Sequence, residues 1–239
     1  MSAAMLEAIA GTLAPWKRLP HERRERLDQV AARLLGRIDV EAARGFDVTD
    51  AMIATIIGHA ALLAVGRHDR TFHGVRAVVV HPRTITLDGE RPGPIPETVV
   101  AGPEPVAGHT SQHGPVFIDW GALRREAPHP EHGRNVAFHE FAHKLDAENG
   151  DIDGIPAVGR GHVDQWRTVC DAEYRALRNG RGTVLLDHYA ASDPGEFFAV
   201  TTELFFTRPV ALALDRPDLY AVFRDYFAQD PAEEWTEVG

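Results

Sequence analysis

Residues 139–143, which read His-Glu-Phe-Ala-His, constrain the fold of this chain more than any other stretch. They lie in a run from Val136 to Leu145 whose apolar residues recur at helical spacing, so the stretch is predicted to be a helix with a buried face. Residues four apart on a helix lie one turn above each other, and two imidazoles so placed can hold one tetrahedral Zn²⁺. The chain must therefore bury two polar side chains in an apolar helix and supply a further ligand from elsewhere.

Glu140 is placed by this helix beside the open coordination position. A carboxylate there can take a proton from a water molecule on the metal and pass it to a leaving amine, which is the reason the pattern is typical of metallopeptidases. We therefore predict one Zn²⁺ per chain, with His139 and His143 as ligands and Glu140 as the general base.

A third protein ligand is expected downstream, because catalytic zinc usually has three. A helix is predicted from Pro194 to about Thr207, with Asp193 as its N-cap, and Glu196 and Glu203 lie two turns apart on one face of it. Either glutamate can be the ligand. Glu196 is also the N3 residue of a possible capping box, and Glu203 can instead accept the second ring N–H of a ligating histidine.

The remaining pattern predicts an α+β fold, mainly helical, with a small sheet beside the metal helix. Helices are predicted at residues 20–38 and 51–65, the latter capped from residues 47–50, and again from about Asn135. Strands are predicted at residues 75–80, 84–87 and 116–120, and an irregular loop at residues 102–114.

No linker divides the chain, so residues 1–239 are expected to form one domain. Within it, residues 1–70 form a helical N-terminal part, and residues 71–239 hold the sheet, the metal helix and the third-ligand helix.

Composition excludes several classes of protein. A net charge of −10 over 239 residues argues against nucleic-acid binding, which draws on clustered Lys and Arg. The most apolar stretch, residues 51–65, is shorter than the roughly twenty apolar residues of a membrane-spanning helix. The single cysteine, Cys170, cannot form an intrachain disulfide, so a cytoplasmic location is expected.

Two longer stretches carry a family resemblance. Residues 139–146 read His-Glu-Phe-Ala-His-Lys-Leu-Asp, and residues 189–200 read Tyr-Ala-Ala-Ser-Asp-Pro-Gly-Glu-Phe-Phe-Ala-Val. With them the chain resembles the Mlc titration factor A family of zinc-dependent peptidases, most strongly over residues 114–206. It also resembles the catalytic domain of anthrax lethal factor, in which a tyrosine precedes the liganding glutamate by seven residues, as Tyr189 precedes Glu196.

This resemblance implies a role for each matched residue. It makes Glu196 the third ligand beside His139 and His143, and Tyr189 a hydroxyl donor to the oxyanion of the transition state. The lethal-factor pattern has a second glutamate where this chain has Val200. The contact that orients a ligating histidine is therefore expected from Glu203 or from Asp146.

The function predicted from these residues is peptide-bond hydrolysis by a gluzincin-type zinc peptidase, and the resemblance implies aminopeptidase-like activity. It also implies binding to a transcriptional repressor of the Mlc type, which controls sugar uptake. The alternative is a zinc-containing, repressor-binding protein with incidental hydrolysis, and a third class is hydrolysis of a non-peptide amide. The strand at residues 116–120 is a candidate edge for an extended peptide, and residues 102–114 a candidate cover of the cleft.

Overall fold

The computed structural model of the chain describes most of its length. The described residues are 7–9, 11, 13, 15–43, 45–82, 86–87, 90–92, 99–101, 104–105, 114–159, 161–186 and 188–234, with the backbone alone described at residue 17 and from 86 to 105.

Helices make up most of the described chain. They are α1 (His21–Leu35), α2 (Asp50–Ala64), α3 (Trp120–Glu126), α4 (Val136–Asp146), α5 (Val163–Arg178), α6 (Pro194–Thr207), α7 (Pro209–Asp215), α8 (Pro217–Phe227) and α9 (Pro231–Glu234). Short 3₁₀ helices lie at Trp16–Arg18, Pro130–His132, Ala147–Asn149 and His188–Ala191.

A three-stranded parallel sheet accompanies these helices. Its strands are β1 (Asp39–Ala42), β2 (Ala77–His81) and β7 (Val116–Asp119), in the order β1-β2-β7. Val78 pairs with Val40 on one side and with Val116 on the other. Between β2 and β7 lie two short antiparallel pairs, β3 (Thr86–Leu87) with β6 (Glu104–Pro105) and β4 (Glu90–Pro92) with β5 (Val99–Ala101).

Helix α2 is the central element of the core, because it is apolar around almost its whole circumference. Thr49 caps its N-terminus by accepting a hydrogen bond from the Met52 amide, 3.3 Å away. His59 is a buried polar residue on this mostly apolar helix. Its Nδ1 lies 2.8 Å from the Thr55 carbonyl oxygen, and its ring lies 5.0 Å from that of Phe138 on α4.

Helices α4 and α6 pack against each other, and the caps at their N-termini fix where each begins. The Asn135 side chain accepts hydrogen bonds from the amides of Ala137 and Phe138 at the start of α4. The Asp193 side chain accepts one from the Glu196 amide at the start of α6. Phe138 of α4 lies against Phe206 of α6, with ring centroids 5.3 Å apart. Apolar contacts of this kind hold the two helices together beside their polar side chains.

The end of α8 is bonded to the end of α2. The Gln229 side chain donates to the Leu62 carbonyl oxygen at 2.9 Å, and Arg67 Nη1 donates to the Tyr226 carbonyl oxygen at 2.9 Å. Gly66 lies against the carbonyl oxygen of Phe227, where a Cβ atom would overlap it. These contacts join residues more than 150 positions apart in sequence.

The predicted α+β class and the N-cap Asp193 are confirmed. The helix predicted at residues 20–38 is observed at His21–Leu35, and the one predicted at 51–65 at Asp50–Ala64, with Thr49 of the predicted capping segment 47–50 as its N-cap. Two of the differences from prediction have a clear physical reason. Helices return at Trp120 rather than at about Asn135, because Asp119 caps α3 by accepting from the Ala122 amide. Strand β1 was not predicted, because Asp39–Ala42 is only four residues long and mostly exposed, and it is a strand through its pairing with β2.

Two further predictions concern the loop at residues 102–114 and the absence of a membrane-spanning helix. The predicted loop at residues 102–114 lies almost entirely outside the described residues, apart from β6 and Gly114. Among the described helices none is long and apolar enough by itself to cross a membrane. The pair α6 and α7, bent by 115° at its break, reaches that length and composition only when taken together.

Candidate metal centre

Three side chains from two helices converge in the contact between α4 and α6. His139 and His143 lie one turn apart on α4, and Glu196 lies in the first turn of α6. Among the described residues this is the group of His, Cys, Asp and Glu side chains whose ligand atoms all lie within 4.8 Å of one another. All three side chains are buried or nearly so.

The distances among the donor atoms fit a tetrahedral metal ion. The Nε2 atoms of His139 and His143 are 3.2 Å apart, and they lie 3.1 and 3.4 Å from Oε2 and Oε1 of Glu196. Ligands about 2.0–2.1 Å from a tetrahedral zinc ion stand about 3.3 Å from one another. The three distances between donor atoms thus have the length that one shared ion requires.

One buried atom of this group lacks a hydrogen bond. Oε2 of Glu196 is shielded from solvent and lies 3.1 Å from His139 Nε2, but it makes no hydrogen bond of good geometry with the described residues. Burial alone raises the pKa of Glu196, but the neighbouring imidazoles of His139 and His143 lower it below its usual range. The group therefore offers a charged oxygen and two ring nitrogens, a donor set that suits zinc.

Glu203 contacts the opposite side of the His139 ring. Its Oε1 lies 2.8 Å from His139 Nδ1, and its other oxygen accepts the backbone amide of Asn135 at the start of α4. A ring that donates from Nδ1 presents an unprotonated Nε2, the form that binds a metal ion. Glu203 therefore lies where it can orient His139, one of the two roles that the sequence left open.

Glu140 is buried beside the same group. Burial raises the pKa of Glu140 to about 7, against the opposing effect of His139 and His143. A carboxyl group whose pKa lies near neutral pH can both accept and release a proton, as a general base and acid must.

Tyr189 lies beside the centre, on the 3₁₀ helix His188–Ala191. Its ring centroid is 6.1 Å from that of His139, and 48% of the residue is exposed. Burial of the hydroxyl and the nearby Glu196 carboxylate raise the pKa of Tyr189. The hydroxyl therefore stays protonated and can donate a hydrogen bond.

Asp146 was the other residue predicted to orient a ligating histidine. In the structure its carboxylate instead accepts a hydrogen bond from the loop that contains Gly154. It is fully buried, and its Oδ2 accepts the Gly154 amide at 2.9 Å. Gly154 has φ +75°, and a Cβ atom there would overlap the Pro194 carbonyl oxygen. Asp146 and Gly154 thus hold a loop against the first residue of α6, two positions before Glu196.

Asn135 and Gly154 are the supporting residues that the sequence analysis did not identify. Asn135 directly precedes the helical apolar run, which is the ordinary signal of an N-cap. Nothing in the sequence around Gly154 indicates its contact with Pro194, because the two are forty positions apart.

Comparison with known sequences shows the family to which the chain belongs. The sequence model of the family described as glucose-regulated metallo-peptidase M90 matches residues 1–228. The chain therefore belongs to this family of metallopeptidases, and its candidate metal site is the group His139, His143 and Glu196.

Individual relatives agree with that assignment. The chain is 32% identical to Mlc titration factor A of Klebsiella pneumoniae (strain 342) over 227 residues, which cover 92% of this chain and 84% of the relative. It is 32% identical to Mlc titration factor A of Edwardsiella ictaluri over 209 residues, covering 84% and 77%. An uncharacterized protein of Synechocystis, slr2042, is 30% identical over 236 residues, covering 94% and 84%. The predicted resemblance to the Mlc titration factor A family is confirmed.

Proposed function

We propose that this chain is a zinc-dependent peptidase of the gluzincin type, with aminopeptidase-like activity on short peptides. The observation that supports the proposal most strongly is the set of three donor atoms at tetrahedral spacing, with a buried carboxyl group beside them. His139, His143 and Glu196 are the proposed zinc ligands, one ion per chain.

Zinc bound by these ligands supplies a Lewis acid for the peptide carbonyl and lowers the pKa of a water molecule. The chain's own contribution is proton transfer and positioning. Glu140 accepts the proton of the attacking water and later delivers it to the leaving amine, and its pKa of about 7 suits both steps. Glu203 holds the His139 ring, so that Nε2 stays directed at the ion.

Tyr189 is the proposed donor to the oxyanion. Its raised pKa, which keeps the hydroxyl protonated, and its position near Glu196 and His139 support this role. Strand β7, at one edge of the described parallel sheet and in contact with α4, is the proposed place where the substrate backbone pairs.

Glu140→Gln tests this function. The amide cannot accept the proton, so we expect hydrolysis of an aminopeptidase substrate panel to fall at least about 100-fold. Zinc content by mass spectrometry should stay at one per chain, because the ligands are intact. Glu41→Gln, on the exposed strand β1, is the matched control and should retain full activity.

Two results would overturn the proposal. Zinc-loaded wild-type protein that hydrolyses none of the peptides would exclude peptidase activity on that panel, and an active Glu140→Gln variant would exclude the general base. Hydrolysis of simple amides in place of peptides would assign the third class of activity, a non-peptide amide hydrolase.

A second candidate function rests on the relatives named Mlc titration factor A. In it the chain binds a transcriptional repressor of the Mlc type, and hydrolysis is incidental. The Glu140→Gln variant separates the two, because a binding function survives that change and a peptidase function does not. Either function, together with a single buried cysteine, is consistent with the cytoplasmic location that we propose.

A further inference from the structure

A pocket separate from the metal centre lies between α5, α8 and the loop that precedes α5. Trp166 of α5 and Tyr226 of α8 form its walls together with Arg67, which follows α2. None of its lining residues belongs to the metal group. The volume is about 110 Å³, and the pocket is open on one side.

Arg67 contributes a buried cation with an unused donor. The guanidinium carbon lies 3.9 Å from the centroid of the Tyr226 ring, and Nη1 donates to the Tyr226 carbonyl oxygen. Nη2 lies 3.6 Å from a carboxylate oxygen of Glu148. The side chain is 5% exposed, yet its Nε–H has no acceptor among the described residues.

Tyr226 contributes a second unused donor in the same wall. Its hydroxyl oxygen is buried and has no hydrogen-bond partner among the described residues. Burial raises the pKa of the Tyr226 hydroxyl, so it stays protonated. A buried donor without an acceptor is destabilising, and two of them in residues that line one open pocket point to an acceptor group supplied from outside.

The rest of the lining limits the size and charge of that ligand. A dry cavity of about 150 Å³ holds a six-carbon ring, so a pocket of this volume holds about four to six non-hydrogen atoms. Val158 and Val222 give it an apolar side. The carboxylate of Asp225, which also lines the pocket, lies 3.2–3.3 Å from the guanidinium of Arg224, which balances its charge.

We propose that this pocket binds a small carboxylate, whose oxygens accept from Arg67 Nε and the Tyr226 hydroxyl and whose short carbon chain lies against Val158 and Val222. A carboxylate has two acceptor oxygens, one for each donor, and its charge is opposite to that of the guanidinium, of which Nη2 alone lies near Glu148. A free short-chain acid and the carboxyl terminus of a peptide share this chemistry.

Propionate is the probe for this site, with propionamide as its uncharged counterpart. Binding to the zinc-loaded protein is measured by saturation-transfer NMR and calorimetry. Tyr226→Phe removes one donor and leaves the packing intact, so we expect at least about tenfold weaker binding of propionate. Val158→Trp fills the pocket and should abolish binding. In both variants circular dichroism checks the fold.

The outcomes separate this site from the metal centre. Propionate that binds both variants as it binds the wild type is held elsewhere, at the zinc or on the surface, and the proposal is wrong. Propionamide binding as tightly as propionate would also overturn it. An acetylated dipeptide that binds through its free carboxyl more tightly than propionate would identify the source as a peptide terminus. Failure of the peptidase assays does not affect these measurements.

Discussion

Glu196 and Glu203 lie on the same face of α6 and contact opposite nitrogen atoms of one ring, Nε2 and Nδ1 of His139. Replacing either carboxylate with an amide of the same shape is therefore expected to give a different result at the two positions. Glu196→Gln removes the charged ligand and should leave the protein without zinc. Glu203→Gln keeps the ligands and should weaken zinc binding about 10–100-fold.

Competition with a chromogenic chelator, followed by mass spectrometry of the dialysed protein, measures both zinc affinities. The exposed-site variant Glu41→Gln is again the control. Retention of zinc by Glu196→Gln, with loss in Glu203→Gln, would move the ligand two turns along α6 and remove the support for the role of Tyr189.

His59 gives the molecule a defined acid sensitivity. Burial lowers the pKa of His59 from 6.5 to about 4, although the Thr55 carbonyl oxygen opposes this. Between pH 6.5 and 4 the unfolded chain binds a proton here that the folded chain does not, so the free energy of unfolding falls as the pH drops through that window. The loss amounts to about 3 kcal/mol and is absent above pH 6.5.

The variant His59→Phe isolates this contribution. It keeps an aromatic ring against Phe138 and cannot titrate, so its free energy of unfolding should fall less steeply than that of the wild type below pH 6.5. Urea denaturation at a series of pH values measures the difference. Parallel curves for the two proteins would show that His59 does not carry the effect.

For individual residues, the sequence could predict the chemistry of the site. It could not predict which of the two glutamates, Glu196 or Glu203, is the ligand. The pair at positions 139 and 143 is fixed by the helix period alone. Glu196 and Glu203 are seven residues apart and share a face, so their roles depend on how α6 is placed along α4. The family resemblance implied that Glu196 is the ligand, which the spacing of the two residues does not by itself indicate.

Among the elements, the start of α6 depends on a glycine in a distant loop. Gly154→Ala places a Cβ atom in the Pro194 carbonyl oxygen and in a left-handed backbone conformation. We expect a loss of more than about 2 kcal/mol in the free energy of unfolding, and weaker zinc binding because Glu196 moves with Pro194. Urea titration and chelator competition measure the two effects.

Gly150→Ala is the matched control for this prediction. Gly150 also has a positive φ, +105°, but a Cβ atom there meets nothing within 4 Å. The control should therefore show the backbone strain alone, about 1–2 kcal/mol, with unchanged zinc affinity. Equal losses in both variants would mean that the contact with Pro194 does not matter.

Elements with a strong periodic pattern could be predicted from sequence, and those defined by a partner could not. Helices α1 and α2 carry their apolar spacing or apolar run in their own residues. Strand β1 is four mostly exposed residues whose conformation comes from pairing with β2, and a single sequence does not show that pairing. The division of the chain at residue 70 stays a prediction.

For the molecule as a whole, the bond from Gln229 to the Leu62 carbonyl oxygen is a long-range tie that one substitution can remove. Gln229→Met keeps the approximate shape of the buried side chain and loses the donor. The expected cost is about 1–2 kcal/mol in the free energy of unfolding, measured by urea denaturation. Gln29→Met, on the exposed face of α1, should change stability by less than about 0.5 kcal/mol.

The contact between the ends of α2 and α8 also sets an order of events during synthesis. The residues of the proposed metal site all lie between positions 139 and 203, so they leave the ribosome before Gln229 does. The Leu62 carbonyl oxygen near the end of α2 gains this side-chain donor only when Gln229 has been synthesised. The donor that ties down this end of the central helix is therefore synthesised after every residue of the proposed metal site.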